Sequence, residues 1–98
     1  MNYIDQLAYE IREQVPRKDL PDESSLPLFR IYAVLLLAKG GRVDARDVHN
    51  AWVAWSNDVN PGHASSVPFE ELSRDVALED MPYVRAIHEV AARVERNL

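Results

Sequence analysis

The chain has 98 residues, of which 47% are hydrophobic, and this length and composition predict one globular domain spanning residues 1–98. Sixteen acidic residues against eleven basic ones give a net charge of -5, which repels phosphate backbones and argues against nucleic acid as a partner. The lack of cysteine excludes disulfides and a cysteine-ligated zinc site, and it indicates a reducing compartment such as the cytoplasm.

The N-terminal residues differ from a signal peptide, because acidic residues such as Asp5 and Glu10 interrupt their apolar positions. Asn2 is instead placed to cap a first helix, whose apolar residues recur on one helical face. They are Ile4, Leu7, Ala8, Ile11 and Val15. Pro16 ends this helix, since the residue before a proline is disfavoured in helical geometry, and residues 16–25 are predicted to form a loop.

The stretch Leu26–Lys39, with the sequence LPLFRIYAVLLLAK, is predicted to be the central helix of the fold. It is apolar on nearly every face, and a helix of this kind is usually buried. It is shorter than the roughly 20 apolar residues that a bilayer span requires, so no membrane association is expected. Ser24 or Ser25 is placed to cap its start, and Lys39 followed by Gly40 is typical of a helix end.

A third helix is predicted to begin after Asp44, which is placed to cap it together with Asp47, and to continue to about Asn57. Trp52 and Trp55 lie on the apolar face of this helix. Packing in the core is the favoured role for both rings, and a stacking platform for a ligand is the alternative.

Residues 57–66 contain turn-forming residues, and residues 67–72 form an extended segment that leads into a single turn. Ser73 is predicted to cap a short helix at about residues 74–78, and Asp80 to cap the last helix. The apolar residues of the last helix form a narrow seam that would pack either on the central helix or on a second copy of the chain, as a homodimer. They are Val84, Ile87, Ala91, Val94 and Leu98.

No segment of the sequence has the strict alternation of apolar and polar residues that is typical of a half-buried strand. The predicted fold is therefore all-α. We expect a compact bundle of four main helices plus one short helix around a buried central helix.

The histidines are the first candidates for chemistry. His49, His63 and His88 lack the spacing of a helical metal site, so no metal and no other cofactor is predicted. Ser65 and Ser66 lie near His63, but neither follows the strand-to-helix pattern that exposes a catalytic serine. The chain is therefore predicted to be non-enzymatic.

Acidic side chains precede the last two helices. Glu70, Glu71 and Glu79 are candidates for contacts with a basic partner. Such residues also commonly form solvated faces or stabilise helix N-termini, and the sequence leaves both interpretations open.

A set of spaced residues runs through about residues 43–94. It comprises His49, Trp52, His63, the segment Val67-Pro68-Phe69-Glu70-Glu71-Leu72, Asp80 and Val84. This pattern resembles the core signature of the ryanodine-receptor-repeat (RyR) domain. The resemblance implies a pocket for a nucleotide or a related anion. The expected ligand-binding residues are Trp52, His63, Phe69 and His49.

The whole chain, including the segment RDVHNAWVAW at residues 46–55, also resembles a small family from actinobacteria and their phages. That resemblance implies a phage or prophage accessory protein in the cytoplasm of its bacterial host. We expect the protein to bind a host protein and to modulate it. The alternative is a module that binds or sequesters a small, nucleotide-type ligand.

Overall fold

The computed structural model describes residues 2–21 and 25–96, and these residues form five α-helices and three short 3-10 turns without any strand. The helices are α1 Tyr3–Gln14, α2 Leu26–Lys39, α3 Ala45–Val59, α4 Arg74–Leu78 and α5 Met81–Arg96. The 3-10 turns are Arg17–Asp19, Gly40–Arg42 and Phe69–Glu71. The prediction of an all-α bundle with four longer helices and one short one is confirmed. None of the described helices has both the length and the apolar content that crossing a membrane requires.

Helix α1 begins and ends where the sequence predicts. The Asn2 side-chain oxygen accepts a hydrogen bond of 3.0 Å from the backbone N–H of Asp5, and Val15, before Pro16, has extended backbone geometry. Arg30 on α2 donates to the Asp5 carboxylate at 2.7 Å, and this bond lowers the pKa of Asp5. The apolar face of α1 packs against α2 and α5.

Helix α2 contributes Tyr32 and Phe29, the two largest fully buried side chains of the described core. Its buried residues are Leu28, Phe29, Tyr32, Ala33 and Leu36. The expectation that it is enclosed on nearly every face is wrong for one flank, where Val34 is 54% exposed and Leu37 is 50% exposed. The reason is geometric, since α1, α3 and α5 pack against α2 and leave this strip of the helix, which also carries Arg30, in contact with solvent.

The two ends of α2 differ in how well they are capped. Ser25 occupies the N-cap position, but its side chain makes no capping hydrogen bond, and its buried hydroxyl has no partner among the described residues. The alternative cap, Ser24, lies outside the described residues. The C-terminal end is defined by Gly40, whose φ of 55° and ψ of -127° suit glycine and strain other residues.

Helix α3 has the predicted capping box. The Asp44 carboxylate accepts from the backbone N–H of Asp47 at 3.0 Å, and the Asp47 carboxylate accepts from that of Asp44 at 3.1 Å. Asp47 also pairs with Lys39 at 2.8 Å. Partial burial raises the pKa of Asp47, but the hydrogen bonds from Lys39 and Asp44 outweigh it and hold the pKa below its usual value. Trp55 is buried in the core, as predicted.

The apolar seam of α5 is used inside the chain. Val84, Ile87 and Ala91 are buried, and α5 packs against α1 and α2, so this part of the seam packs within the chain. Leu98, the last predicted member of the seam, lies outside the described residues. His88 on α5 donates to the carbonyl of Val43 at 2.6 Å and ties this helix to the segment before α3.

We expect Gly40→Ala to destabilise the protein by about 1 to 3 kcal/mol, because an L-residue is strained at this positive φ. An added Cβ would also lie 3.3 Å from the Glu95 side chain. Chemical denaturation of both proteins measures the change. The matched control is Gly41→Ala, whose added Cβ meets nothing within 4 Å. Equal effects of the two substitutions would contradict this account of the turn.

Candidate functional site

A cavity of about 590 Å³ opens between the ends of several helices. Its wall combines residues from α2, α3, α4 and α5 with residues that follow α1 and α3. Three of the four predicted ligand-binding residues, His49, Trp52 and His63, lie in this wall. The fold therefore brings together residues that are far apart in the sequence.

One side of the cavity is formed by Tyr32 of α2 and Tyr83 of α5, whose ring centroids are 5.7 Å apart. Phe29 supports them from the core, with its ring 5.3 Å from that of Tyr32 in an edge-to-face arrangement. The Tyr83 hydroxyl donates a hydrogen bond to the backbone carbonyl of Asp19. Burial raises the pKa of Tyr83, and the carboxylates of Asp19 and Asp80 raise it further, so the hydroxyl keeps its proton.

The other aromatic side is formed by His49, Trp52 and His63. The His49 and Trp52 rings are stacked with centroids 5.9 Å apart, and the His63 ring meets Trp52 edge-on at 5.0 Å. Trp52 is only partly buried, unlike Trp55, so its ring both packs against the core and borders the cavity. Both tryptophans thus pack against the core, as the favoured interpretation of the sequence has it, and the role of Trp52 as a stacking platform for a ligand stays a prediction.

His49 is held in place by a backbone group. Its Nε2 lies 2.6 Å from the carbonyl oxygen of Val67, and because a carbonyl only accepts, this nitrogen donates. Phe69 packs against His49 at 6.1 Å between ring centroids, and it lies behind the described wall of the cavity. Arg46 covers the Phe69 ring at 5.7 Å and forms an ion pair with Glu70. Phe69 therefore supports the predicted site from outside it.

His63 and the neighbouring serines interact through the backbone. The Nδ1 atom of His63 accepts a hydrogen bond of 3.0 Å from the backbone N–H of Ser65. Neither the Ser65 nor the Ser66 hydroxyl bonds to an imidazole within the described chain, and the buried Ser66 hydroxyl has no partner there. The arrangement is that of a loop stabilised by its own side chains.

The sequence predicts that Asp80 begins the last helix, but it does not reveal that Asp80 also borders the cavity. Its position at the start of α5 is as predicted, but the backbone carbonyl makes the contacts, accepting from the N–H groups of Tyr83 and Val84 at 3.1 Å each. Asp80 borders the cavity, and its buried Oδ2 has no hydrogen-bond partner among the described residues. Burial raises the pKa of Asp80 to about 6; His49 opposes the shift and Glu79 adds to it.

The cavity wall is acidic. It contains the carboxyl groups of Asp19, Asp75, Glu79 and Asp80, while its described residues include no lysine and no arginine. Glu79, predicted to contact a partner, therefore belongs to the cavity. The other two predicted partner contacts lie elsewhere: Glu70 pairs with Arg46, and Glu71 is exposed to solvent.

Potential metal ligands do not converge. Within residues 2–21 and 25–96, no group of three or more histidine, aspartate or glutamate side chains is arranged to hold one ion. His88, bonded to the carbonyl of Val43, is outside the described cavity wall.

The fold and the cavity define a small all-helical domain with an acidic, aromatic-lined cleft. The chain belongs to the family described as Domain of unknown function (DUF7701), whose model matches residues 2–92. The matched range includes every described residue of the cavity wall. No curated protein and no solved structure matches the chain.

We expect Asp80→Asn to stabilise the protein more at about pH 8 than at about pH 4. The native pKa of about 6 lies above the ordinary value of 3.8, so ionisation of Asp80 destabilises the folded state as the pH rises through this interval. The full shift corresponds to about 3 kcal/mol, and partial solvent exposure reduces the expected difference to about 1 kcal/mol. Urea denaturation at both pH values measures it.

The control for this experiment is Asp58→Asn, at the exposed end of α3. The difference between the two pH values should be larger for Asp80→Asn than for this control. A stability difference for Asp80→Asn that is independent of pH would show that the native carboxyl group titrates like that of the unfolded chain.

Proposed function

We propose that the protein is a non-enzymatic module that binds a small molecule in the cleft between α2, α3, α4 and α5. The observation that carries the proposal is the cavity of about 590 Å³, bordered by aromatic rings whose positions are fixed by the surrounding structure. Ligand pockets of proteins commonly enclose about 300 to 1,000 Å³ and combine apolar walls with a few polar groups.

The resemblance of about residues 43–94 to the RyR repeat supports this proposal, because His49, Trp52 and His63 carry the resemblance and all border the cavity. The likeness to a family from actinobacteria and their phages supports a phage or prophage protein that senses or sequesters its ligand in the cytoplasm of the host. Within the described chain neither the Ser65 nor the Ser66 hydroxyl bonds to an imidazole, and this lack of a paired nucleophile and base favours binding over catalysis.

The charge of the wall disfavours a nucleotide, the ligand class that the RyR resemblance implies. Phosphate groups are usually bound by lysine, arginine or clustered backbone N–H groups. The described wall instead carries four carboxyl groups and no basic side chain other than histidine. The anionic part of a nucleotide would be repelled by these carboxylates wherever they are ionised.

Thermal-shift screening tests the proposal with a panel of neutral, cationic and anionic small molecules that includes mono-, di- and cyclic nucleotides. A ligand at one hundred times its dissociation constant stabilises the native state by about 2.7 kcal/mol, which raises the melting temperature of a domain of this size by several degrees. We expect a shift with at least one member. Trp52→Ala should abolish the shift, whereas Tyr9→Ala, an exposed residue outside the described wall, should retain it. No shift with any member would overturn the proposal.

A second candidate function is the binding of a host protein, and the exposed flank of α2 favours it. Val34 and Leu37 are each about half exposed, and Arg30 lies on the same flank. Exposed apolar residues that adjoin one another on a helix are typical of protein-binding surfaces. The same flank is the surface that would mediate a homodimer, since the seam of α5 is used within the chain.

We expect the double substitution of Val34→Ser and Leu37→Ser to remove a stoichiometric host partner from affinity captures made in an actinobacterial host. Folding of the variant is checked by circular dichroism, and analytical ultracentrifugation of both proteins reports self-association. Val59→Ser is the matched control, because Val59 is 57% exposed at the end of α3. If the double variant captures the same partner as the unchanged protein, the flank is not the binding surface.

A further inference from the structure

We infer that the cleft binds an organic cation: an ammonium or guanidinium group that carries a small apolar portion. The inference rests on the proposed function, because it names the ligand class for the same cavity. Two independent features of the wall lead to it: the sign of its charges and the nature of its apolar surface.

The charges come from three parts of the chain. Asp19 follows α1, Asp75 belongs to α4, and Glu79 and Asp80 lie between α4 and α5. Carboxylates that border one concave surface raise the local concentration of cations, because the low dielectric of the protein concentrates their field in the cleft. The net charge of -5 on the whole chain acts in the same direction.

Asp80 provides a specific contact point. Its Oδ2 atom is buried and has no hydrogen-bond partner among the described residues, although a carboxylate oxygen normally accepts bonds. An ammonium or guanidinium group in the cleft beside Asp80 would compensate the charge of this carboxylate, which no basic residue of the described wall offsets. A neutral ligand would leave that charge uncompensated.

The apolar part of the ligand would contact the aromatic sides of the cleft. Trp52 and Tyr83 border the cavity and are partly exposed, and rings of this kind attract cations through their quadrupole while covering alkyl groups. The hydrogen bond from Tyr83 to Asp19 and the contacts of Trp52 with two histidines hold the rings in place before a ligand arrives. Such preorganisation lowers the entropic cost of binding.

Isothermal titration with matched pairs of probes tests the charge requirement. Choline is compared with dimethylbutanol, its uncharged carbon isostere, putrescine is compared with butanediol, and agmatine provides a guanidinium. We expect at least one cation to bind, and its neutral counterpart to bind at least about tenfold more weakly, which corresponds to about 1.4 kcal/mol. Equal affinity for a cation and its isostere would overturn the inference, and so would a lack of binding by all three cations.

Substitutions of acidic residues test which carboxyl groups contribute to binding of the cation. Glu79→Gln and Asp80→Asn should each weaken binding of the cation about tenfold, whereas Glu71→Gln, an exposed glutamate outside the described wall, should leave it unchanged. Equal effects of all three would place the cation elsewhere and overturn the inference.

Failure of the inference is distinguishable from failure of the proposed function. Binding of a neutral or anionic panel member alone refutes the cation and retains a ligand-binding cleft, whereas no binding by any class refutes both.

Discussion

The packing of the inner face of α2 against its neighbours is the constraint on which the rest of the structure depends. Phe29 and Tyr32 are completely or almost completely buried, and their rings contact Tyr83 on α5. Burial of each such side chain contributes roughly 1.5 to 3 kcal/mol. Because these contacts fix the start of α5 beside α2, they also fix Asp80 and the aromatic side of the cleft. The core and the candidate site therefore share one set of side chains.

Local features of the fold could be predicted from the sequence because their physical causes lie within a few residues. The capping bonds of Asn2, Asp44 and Ser73 each join residues three apart, and all are present. The exposure of Val34 could not be predicted in the same way, since the composition of a helix does not reveal how many neighbours cover it. That property depends on how the other helices are arranged around α2.

The residues of the candidate site also differ in whether the sequence could reveal them. His49, Trp52 and His63 could be grouped from sequence because their spacing resembles a known pattern, and they share the cavity wall. Asp19 and Tyr83 could not be grouped in this way. The hydrogen bond between them joins residues 64 positions apart, and no local pattern in the sequence indicates such a contact. An acidic residue near the start of a helix is normally interpreted as a cap. The sequence alone favours this interpretation of Asp80, and its position in the cavity wall is visible only in the structure.

Asp80 would connect the stability of the fold with the proposed binding of a cation. A carboxyl group that is partly buried without a partner opposes folding whenever it is ionised, which is why its pKa is raised to about 6. A cation bound beside it would favour the ionised form and offset that cost. Part of the free energy of binding would then come from removing an electrostatic cost that is present in the empty protein. The rigid aromatic wall adds to the effect, since Tyr83 and Trp52 are already held by other contacts. For the organic cation proposed above, charge would therefore contribute to the selectivity of the cleft as well as shape.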